Sequence, residues 1–286
     1  MKLADYQYIV KNIHHSWNRN CLQDLAKKFP EYSVETLGSI YSQEYQKKMK
    51  KTHFKHYTQH ITEEYYDRYQ IAIGQGQEQV LVKMSEEVDL SPILLARIVL
   101  ERHLAHTVYD GENVPKSVLS QQLKDPSLIE DAVLANEVSL CLLMDDNYGH
   151  YVDTIKHSVG HEYELLLKEK VEEKGLAYLG EDQLRIRGYD KTPDTKLEVP
   201  IAVDGHVVNW IESKASFGDE DSHKGYLKDQ FWSYWNRFGP GLVIYWFGFI
   251  DELDTNRDKG ILLMDHFPEN IVYMNPKIVS RAQSVT

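Results

Sequence analysis

The stretch TPDTKLEVPIAVDGHVVNWIESKAS, residues 192–216, decides the fold. Within it, residues 197–203 and 207–211 are rich in β-branched and apolar side chains and are split by Asp204-Gly205 and His206. Asp-Gly between such runs is a hairpin signal, because both residues tolerate the positive φ angles of a tight two-residue turn. An antiparallel pair is expected. Glu212 and Lys214, two apart on the second strand, point to the same face. An unbroken ladder from that turn would set Asp194 opposite Ala215, beside Lys214 but on the wrong face. Bringing Asp194 to Glu212 and Lys214 therefore requires a bulge or a strand end, and Pro200, which has no N–H for a ladder, is a place for a bulge.

Working outward, residues 152–174 read as a long helix ending near Gly175, followed by a short apolar segment at 176–179 and a polar connection through Gly188. Beyond the hairpin, residues 223–238 read as an aromatic-rich helix closed by Gly239-Pro240, residues 242–250 as a fully buried strand and residues 261–264 as another. That order gives a mixed α/β domain with helices on a central sheet.

From residue 3 to about 150 the apolar positions recur at three and four, as in LQDLAKKF (22–29) and SPILLARIVLERHL (91–104), which is the amphipathic helical period. Two domains are expected, a helical one over 1–147 and the α/β one over 148–286. Residues 22–45 and 80–104 have the rhythm of a helix-turn-helix, the second with Ser91 as N-cap and Pro92 at the first helical position. Paired helices with no reading function fit the same pattern.

Composition is that of an ordinary globular protein, 42% hydrophobic and 27% charged. The two cysteines, Cys21 and Cys141, fall in no CxxC or zinc spacing and read as reduced structural thiols. The opening MKLADYQYIV lacks a signal-peptide pattern, and no apolar run approaches the roughly 20 residues of a membrane span, so an intracellular protein away from membranes is expected. A net charge of -12 argues against a protein that coats nucleic acid. The charge is uneven: residues 1–60 carry ten Lys/Arg against five Asp/Glu, or +5, which leaves -17 for the rest. In that basic segment Lys47, Lys48, Lys50, Lys51 and Lys55 are candidate contacts to a phosphate backbone, although such runs are commonly solvated helix faces. His53, His56 and His60 share a helical spacing, but no carboxylate or cysteine completes a zinc set, and they read as surface histidines.

Asp194, Glu212 and Lys214 combine residue types that phosphodiester hydrolysis needs: carboxylates for a divalent ion and a cation for developing charge. The plain alternative is a surface salt bridge between Glu212 and Lys214, with Asp194 capping a turn. Asp194 after Pro193, followed by Glu212-Ser213-Lys214, is similar to the PD-(D/E)xK signature of the restriction-endonuclease-like superfamily. YDKTPD (189–194), WIESKASFGD (210–219) and DQFWSYWNRFGPGLVIYW (229–246) together resemble the codanin-interacting nuclease family with its TPD motif. SQEYQKKMKKTH (42–53) and VLANEV (133–138) extend the likeness over nearly the whole chain.

The resemblance implies an N-terminal helix-turn-helix region, a PD-(D/E)xK nuclease core, magnesium dependence with manganese as the alternative ion, a codanin-type partner, and a place in nucleus and cytoplasm. It implies a Glu on the first core helix in a Gly-x-x-x-Glu arrangement, here Gly160 and Glu164 with Glu162 as the alternative, and a polar residue after the Lys strand, here Gln230. The expected function is magnesium-dependent hydrolysis of DNA, with structure selectivity as the finer expectation. In it Asp194, Glu212, Glu164 and the Ser213 carbonyl would hold metal, and Lys214 would activate water. The rival is a nuclease fold that has lost catalysis and docks a large partner. A DNA-binding regulator built on the helical half is a third reading, and it needs none of the three central residues.

Overall fold

The computed structural model describes residues 1–15, 17 and 20–275. The protein is α/β, and the chain divides into two compact units. One combines residues 1–41 with the described part of 159–286, and the other is Ser42–Ser158. This division differs from a boundary at 147/148, because the first 41 residues pack with strand-bearing chain. Helices α1 (Leu3–His15), α2 (Cys21–Lys28) and the start of α3 (Val34–Thr52) enclose Phe217 and Ile250 with Ile9, Ile13, Leu25, Leu37 and Ile40. The Tyr6 ring stacks on Phe217 at 5.7 Å.

The unit Ser42–Ser158 is helical. Beyond the end of α3 it holds α4 (Gln59–Gly74), α5 (Val80–Glu87), α6 (Pro92–Thr107), α7 (Lys116–Lys124), α8 (Ala132–Met144) and the start of α9 (His150–Glu173). Helix α6 is its centre, burying Ile93, Leu95, Ala96, Ile98, Val99 and Leu100. As the second helix of the 80–104 pair, it is enclosed by core, so its faces do not stand free as a reading helix's would. Ser91 sits at the N-cap and Pro92 at N1, but the Ser91 hydroxyl caps nothing in its own helix. It donates to Asp145 Oδ2, and that same oxygen accepts the Ile93 N–H at 3.2 Å. Buried Glu137 accepts the Leu81 N–H at 2.9 Å and so serves the open start of α5. His56 departs from the surface reading: it is 9% exposed and its Nδ1 pairs with the Tyr65 hydroxyl at 2.7 Å. Lys47 pairs with Glu44 at 2.8 Å and Lys48 with Asp89 at 2.6 Å.

The other unit is built on a mixed sheet. Strands β1 (Tyr178–Gly180), β2 (Thr195–Val203), β3 (His206–Lys214), β4 (Gly241–Tyr245) and β5 (Ile261–Met264) lie in that order, and β6 (Ile271–Tyr273) also pairs with β2. β1, β2 and β3 are antiparallel neighbours, while β3, β4 and β5 run parallel. Every residue of β4 is buried, and its side chains alternate between two cores. Leu242 and Ile244 pack with Leu167 and Val171 of α9. Val243 and Tyr245 face Trp210, Phe231 and Tyr234. Helices thus cover both faces, which is what a fully apolar central strand requires.

Asp204 and Gly205 take φ angles of 50° and 79°, the two positive values of the expected hairpin turn. The connection before the hairpin is not merely polar loop but forms α10 (Glu181–Ile186), held by buried Leu184 and by a Gly180 N–H bond to Gln183 Oε1. The strand expected over 242–250 stops at Tyr245, and the chain turns away through Gly248 at φ 83°. The aromatic helix is three pieces: α11 (Glu220–Tyr226), a π-turn at Leu227–Phe231 and α12 (Trp232–Phe238). Among the described residues no helix is long and apolar enough to cross a membrane.

At Gly241 the Trp210 ring lies directly against the backbone of β4. A Cβ there would lie 2.1 Å from Trp210 Cε2, inside a fully buried ring. Gly241→Ala is expected to cost about 1–3 kcal/mol or more through overpacking. Thermal melting followed by circular dichroism tests this, and an unchanged midpoint would mean that Trp210 has room to move.

Candidate active site

The hairpin register slips in the middle. Val203 faces His206 and Ile201 faces Val208, as the two-residue turn dictates, but Lys196 faces Trp210 where an unbroken ladder would bring it to Ser213. The slip is three residues, lies between Lys196 and Ile201, and contains Pro200. An odd slip exchanges the faces of the strand. It therefore removes the parity conflict, and Asp194, one residue before the Thr195–Ile211 pair, arrives opposite Glu212.

Two hydrogen bonds hold that encounter. The Ser213 N–H donates to Asp194 Oδ2 at 2.7 Å, and the Asp194 N–H donates to Glu212 Oε2 at 3.3 Å. Lys214 Nζ donates to Glu212 Oε1 at 2.6 Å, as the shared strand face requires. Glu212 is 3% exposed, so the plain reading of a surface ion pair does not describe it. Burial pushes the Asp194 carboxyl well up from its ordinary value, and the neighbouring Glu212 charge pushes the same way. Burial likewise raises Glu212, against the pull of Lys214. For Lys214, burial works downward, but the Glu212 carboxylate prevails and holds the ammonium's pKa above its usual value.

The site's roof is the aromatic segment. Lys214 Nζ lies 4.7 Å from the Tyr226 ring centre and 6.0 Å from that of Phe231, which restricts the ammonium to the carboxylate side. Tyr226 adjoins the π-turn, a local widening that is frequent at functional sites. Gln230 belongs to the turn itself, and its buried Oε1 has no hydrogen-bond partner. The YDKTPD loop is clamped to this segment: Lys191 donates to the Asp229 carbonyl, Arg237 pairs with Asp190, and Arg237 Nη1 donates to the Lys191 carbonyl at 3.0 Å. Thr192, buried in the same loop, donates to Glu181 Oε1 at 3.2 Å.

Glu164 lies on α9, and its charge adds to the upward push on Asp194. Its own carboxylate stays partly exposed and lies 3.7 Å from His161. Glu162, the alternative, is exposed. The geometry thus joins Asp194, Glu212, Ser213 and Lys214 directly and brings Glu164 within electrostatic range. Tyr226, Arg237 and Lys191 escaped the sequence reading. Their positions depend on a π-turn and a loop clamp that leave no periodic signal.

Buried His223, whose Nδ1 shares a 3.0 Å hydrogen bond with the Tyr245 hydroxyl, also went unread. Burial lowers its pKa. Among the described residues no group of three or more His, Cys, Asp or Glu is gathered to hold a metal. The carboxylate pair of Asp194 and Glu212 is the densest donor set the hairpin offers.

Fold and site together define an α/β protein with a buried two-carboxylate and lysine constellation on one sheet face. A family model described as "Protein of unknown function TPD sequence-motif" matches residues 130–267. Proteins named CDAN1-interacting nuclease 1 are similar over most of the chain. The one from Xenopus laevis is 59% identical over 257 residues, 90% of this chain and 84% of its own. That from Homo sapiens is 56% identical over 89% of this chain and 90% of its own, and that from Gallus gallus 49% over 98% and 100%. The chain belongs to the CDAN1-interacting nuclease 1 family. No solved structure matches it.

Both carboxyls bind protons more tightly in the folded than in the unfolded chain. Folded stability therefore falls as pH rises from the ordinary carboxylate range through the raised values. Asp194→Asn keeps an oxygen for the Ser213 N–H and removes one charge. In metal-free buffer it should melt above the parent at about pH 7, with the gain shrinking toward about pH 4. A variant that melts lower at neutral pH would show that the carboxylate charge is stabilised, not strained.

Proposed function

We propose that this chain is a magnesium-dependent nuclease that hydrolyses DNA phosphodiester bonds on a PD-(D/E)xK-type core and acts with a codanin-type partner in nucleus and cytoplasm. The observation that carries the reading is the meeting of Asp194 and Glu212 in a buried corner, with Lys214 hydrogen-bonded to Glu212 and the Ser213 N–H to Asp194. Paired carboxyls raised by burial beside a lysine are an arrangement that costs stability and recurs where chemistry is done. The printed names of the relatives supply the class, a nuclease, and the partner, CDAN1.

The donor set fits magnesium. Asp194, Glu212 and the Ser213 carbonyl offer hard oxygens, burial raises both carboxyls and a cation bound between them would offset that cost, and the buried Gln230 Oε1 has an acceptor to spare. Glu164 would stand behind Asp194 as an outer carboxylate. When bound, the ion would neutralise phosphate charge and make a water more acidic. Lys214, fixed by Glu212 and the Tyr226 ring, presents a proton donor and a positive charge to a phosphate oxygen in the transition state. Gln230 would orient water or phosphate. Lys50, Lys51 and Lys55 keep exposed ammonium groups for a phosphate backbone, while Lys47 and Lys48 are partly engaged by Glu44 and Asp89.

The test is cleavage of single-stranded, duplex, flap and four-way DNA across a magnesium titration. Lys214→Met keeps the apolar stem and removes the charge, and should lower the rate on the order of 10²- to 10³-fold at saturating metal. Glu212→Gln should instead raise the magnesium concentration needed for half-maximal rate, and should shrink the rise in melting temperature that magnesium gives the parent. Equal cleavage by parent and Lys214→Met would place the activity elsewhere. A parent that cleaves nothing under any divalent ion, yet binds its partner, would leave the fold as a docking scaffold.

A further inference from the structure

We propose that a cavity in the helical unit is a docking pocket for an acidic segment of a partner protein that inserts one bulky apolar side chain. The cavity has a volume of about 380 Å³ and is walled by α6, α7, the end of α8 and the start of α9. Its floor is Ile93, Leu94, Leu123 and Leu142. Gly149 forms part of the wall at φ 99°, where a Cβ would come within 3.3 Å of Leu142, so a side chain there would crowd the floor.

Charge selects the occupant. Arg97, Lys124 and His150 line the cavity against a single acid, Asp153. Neither Arg97 nor Lys124 makes a side-chain hydrogen bond or ion pair among the described residues. Two cations without an acid partner thus stand over an apolar floor, in a chain whose net charge is -12. They attract an anionic ligand, and the floor rewards an apolar one.

The volume lies at the lower end of the roughly 300–1,000 Å³ that accept a small ligand, enough for one large side chain with adjoining backbone. A polynucleotide would ask for a line of cations along its phosphates, and two at the mouth of an apolar recess do not make one. The unit also leaves Leu143, near the end of α8, and Tyr151, near the start of α9, 66% and 48% exposed. A polypeptide can reach from the recess to such side chains; a small molecule seated in the recess would leave them bare.

The pocket does not rest on the nuclease reading, and its test involves no cleavage. Fluorescence anisotropy would follow the full chain binding a labelled peptide Glu-Asp-Glu-Phe-Glu-Asp-Glu. Its Phe→Ala counterpart and a Lys/Arg-flanked Phe peptide serve as comparison probes. The acidic Phe peptide should bind, weaken with added salt, and lose at least tenfold in affinity in the Phe→Ala form. The same loss is expected for the double variant Arg97→Glu, Lys124→Glu and for Ser120→Trp, which fills the cavity from an exposed position. All should melt with the parent, and Lys214→Met should bind the peptide unchanged.

The proposal fails if the acidic peptide does not bind at millimolar concentration, or if the double variant and Ser120→Trp bind it as well as the parent does. It fails as well if the basic peptide binds equally. A duplex oligonucleotide that displaces the peptide and depends on the same two cations would assign the pocket to nucleic acid. A dimer of this chain that Ser120→Trp dissolves would assign it to a second copy.

Discussion

Two carboxylates facing each other across a strand pair repel, and taking them out of water makes the repulsion worse. Removing one ion from water costs several kcal/mol even after relaxation. In this protein that cost is concentrated at Asp194 and Glu212, and the surroundings are arranged to sustain it. Lys214 reaches Glu212 at 2.6 Å, the Ser213 N–H reaches Asp194 at 2.7 Å, and aromatic rings close the far side of the ammonium. The sheet, the roof helix and the loop clamp all serve to hold one unfavourable juxtaposition in place.

The slip in the β2–β3 ladder creates that juxtaposition. Near the turn the strands pair as Asp204-Gly205 demands, and past Pro200 they pair again three residues displaced. Without it Asp194 would face the opposite core. The aromatic segment then fixes the depth of the site, because Trp210, Phe231 and Tyr234 fill the space under β3 and β4. Its π-turn departs from the α-helical rise beside Lys214, and there Gln230 retains an unsatisfied oxygen. Strained or unsatisfied groups persist in a folded protein where surrounding packing over-determines them.

The helical unit follows a different logic. Its core is made by α6, and buried acids support the helix ends: Glu137 at α5 and Asp145 at α6. VLANEV, prominent in the sequence, is thus explained by capping and packing. The same enclosure of α6 keeps it from acting as an exposed reading helix. What this unit presents outward is the cavity beside α6 and α7, with its unpaired cations.

The sequence by itself determined the family, the α/β class, the turn at Asp204-Gly205 and the shared face of Glu212 and Lys214. These follow from local rules: positive-φ residues at a turn, period-two alternation, apolar runs of strand length. It also identified the obstacle to Asp194 and its remedy near Pro200, since parity and a missing N–H are both legible in the chain. The size of the slip, the π-turn over Lys214, helix α10, the early end of β4 and the burial of His56 were decided by tertiary structure. So was the packing of residues 1–41 with the sheet-bearing unit. Most of these rest on burial and packing that the folded chain creates, whose desolvation outweighs the local preferences that a sequence pattern records.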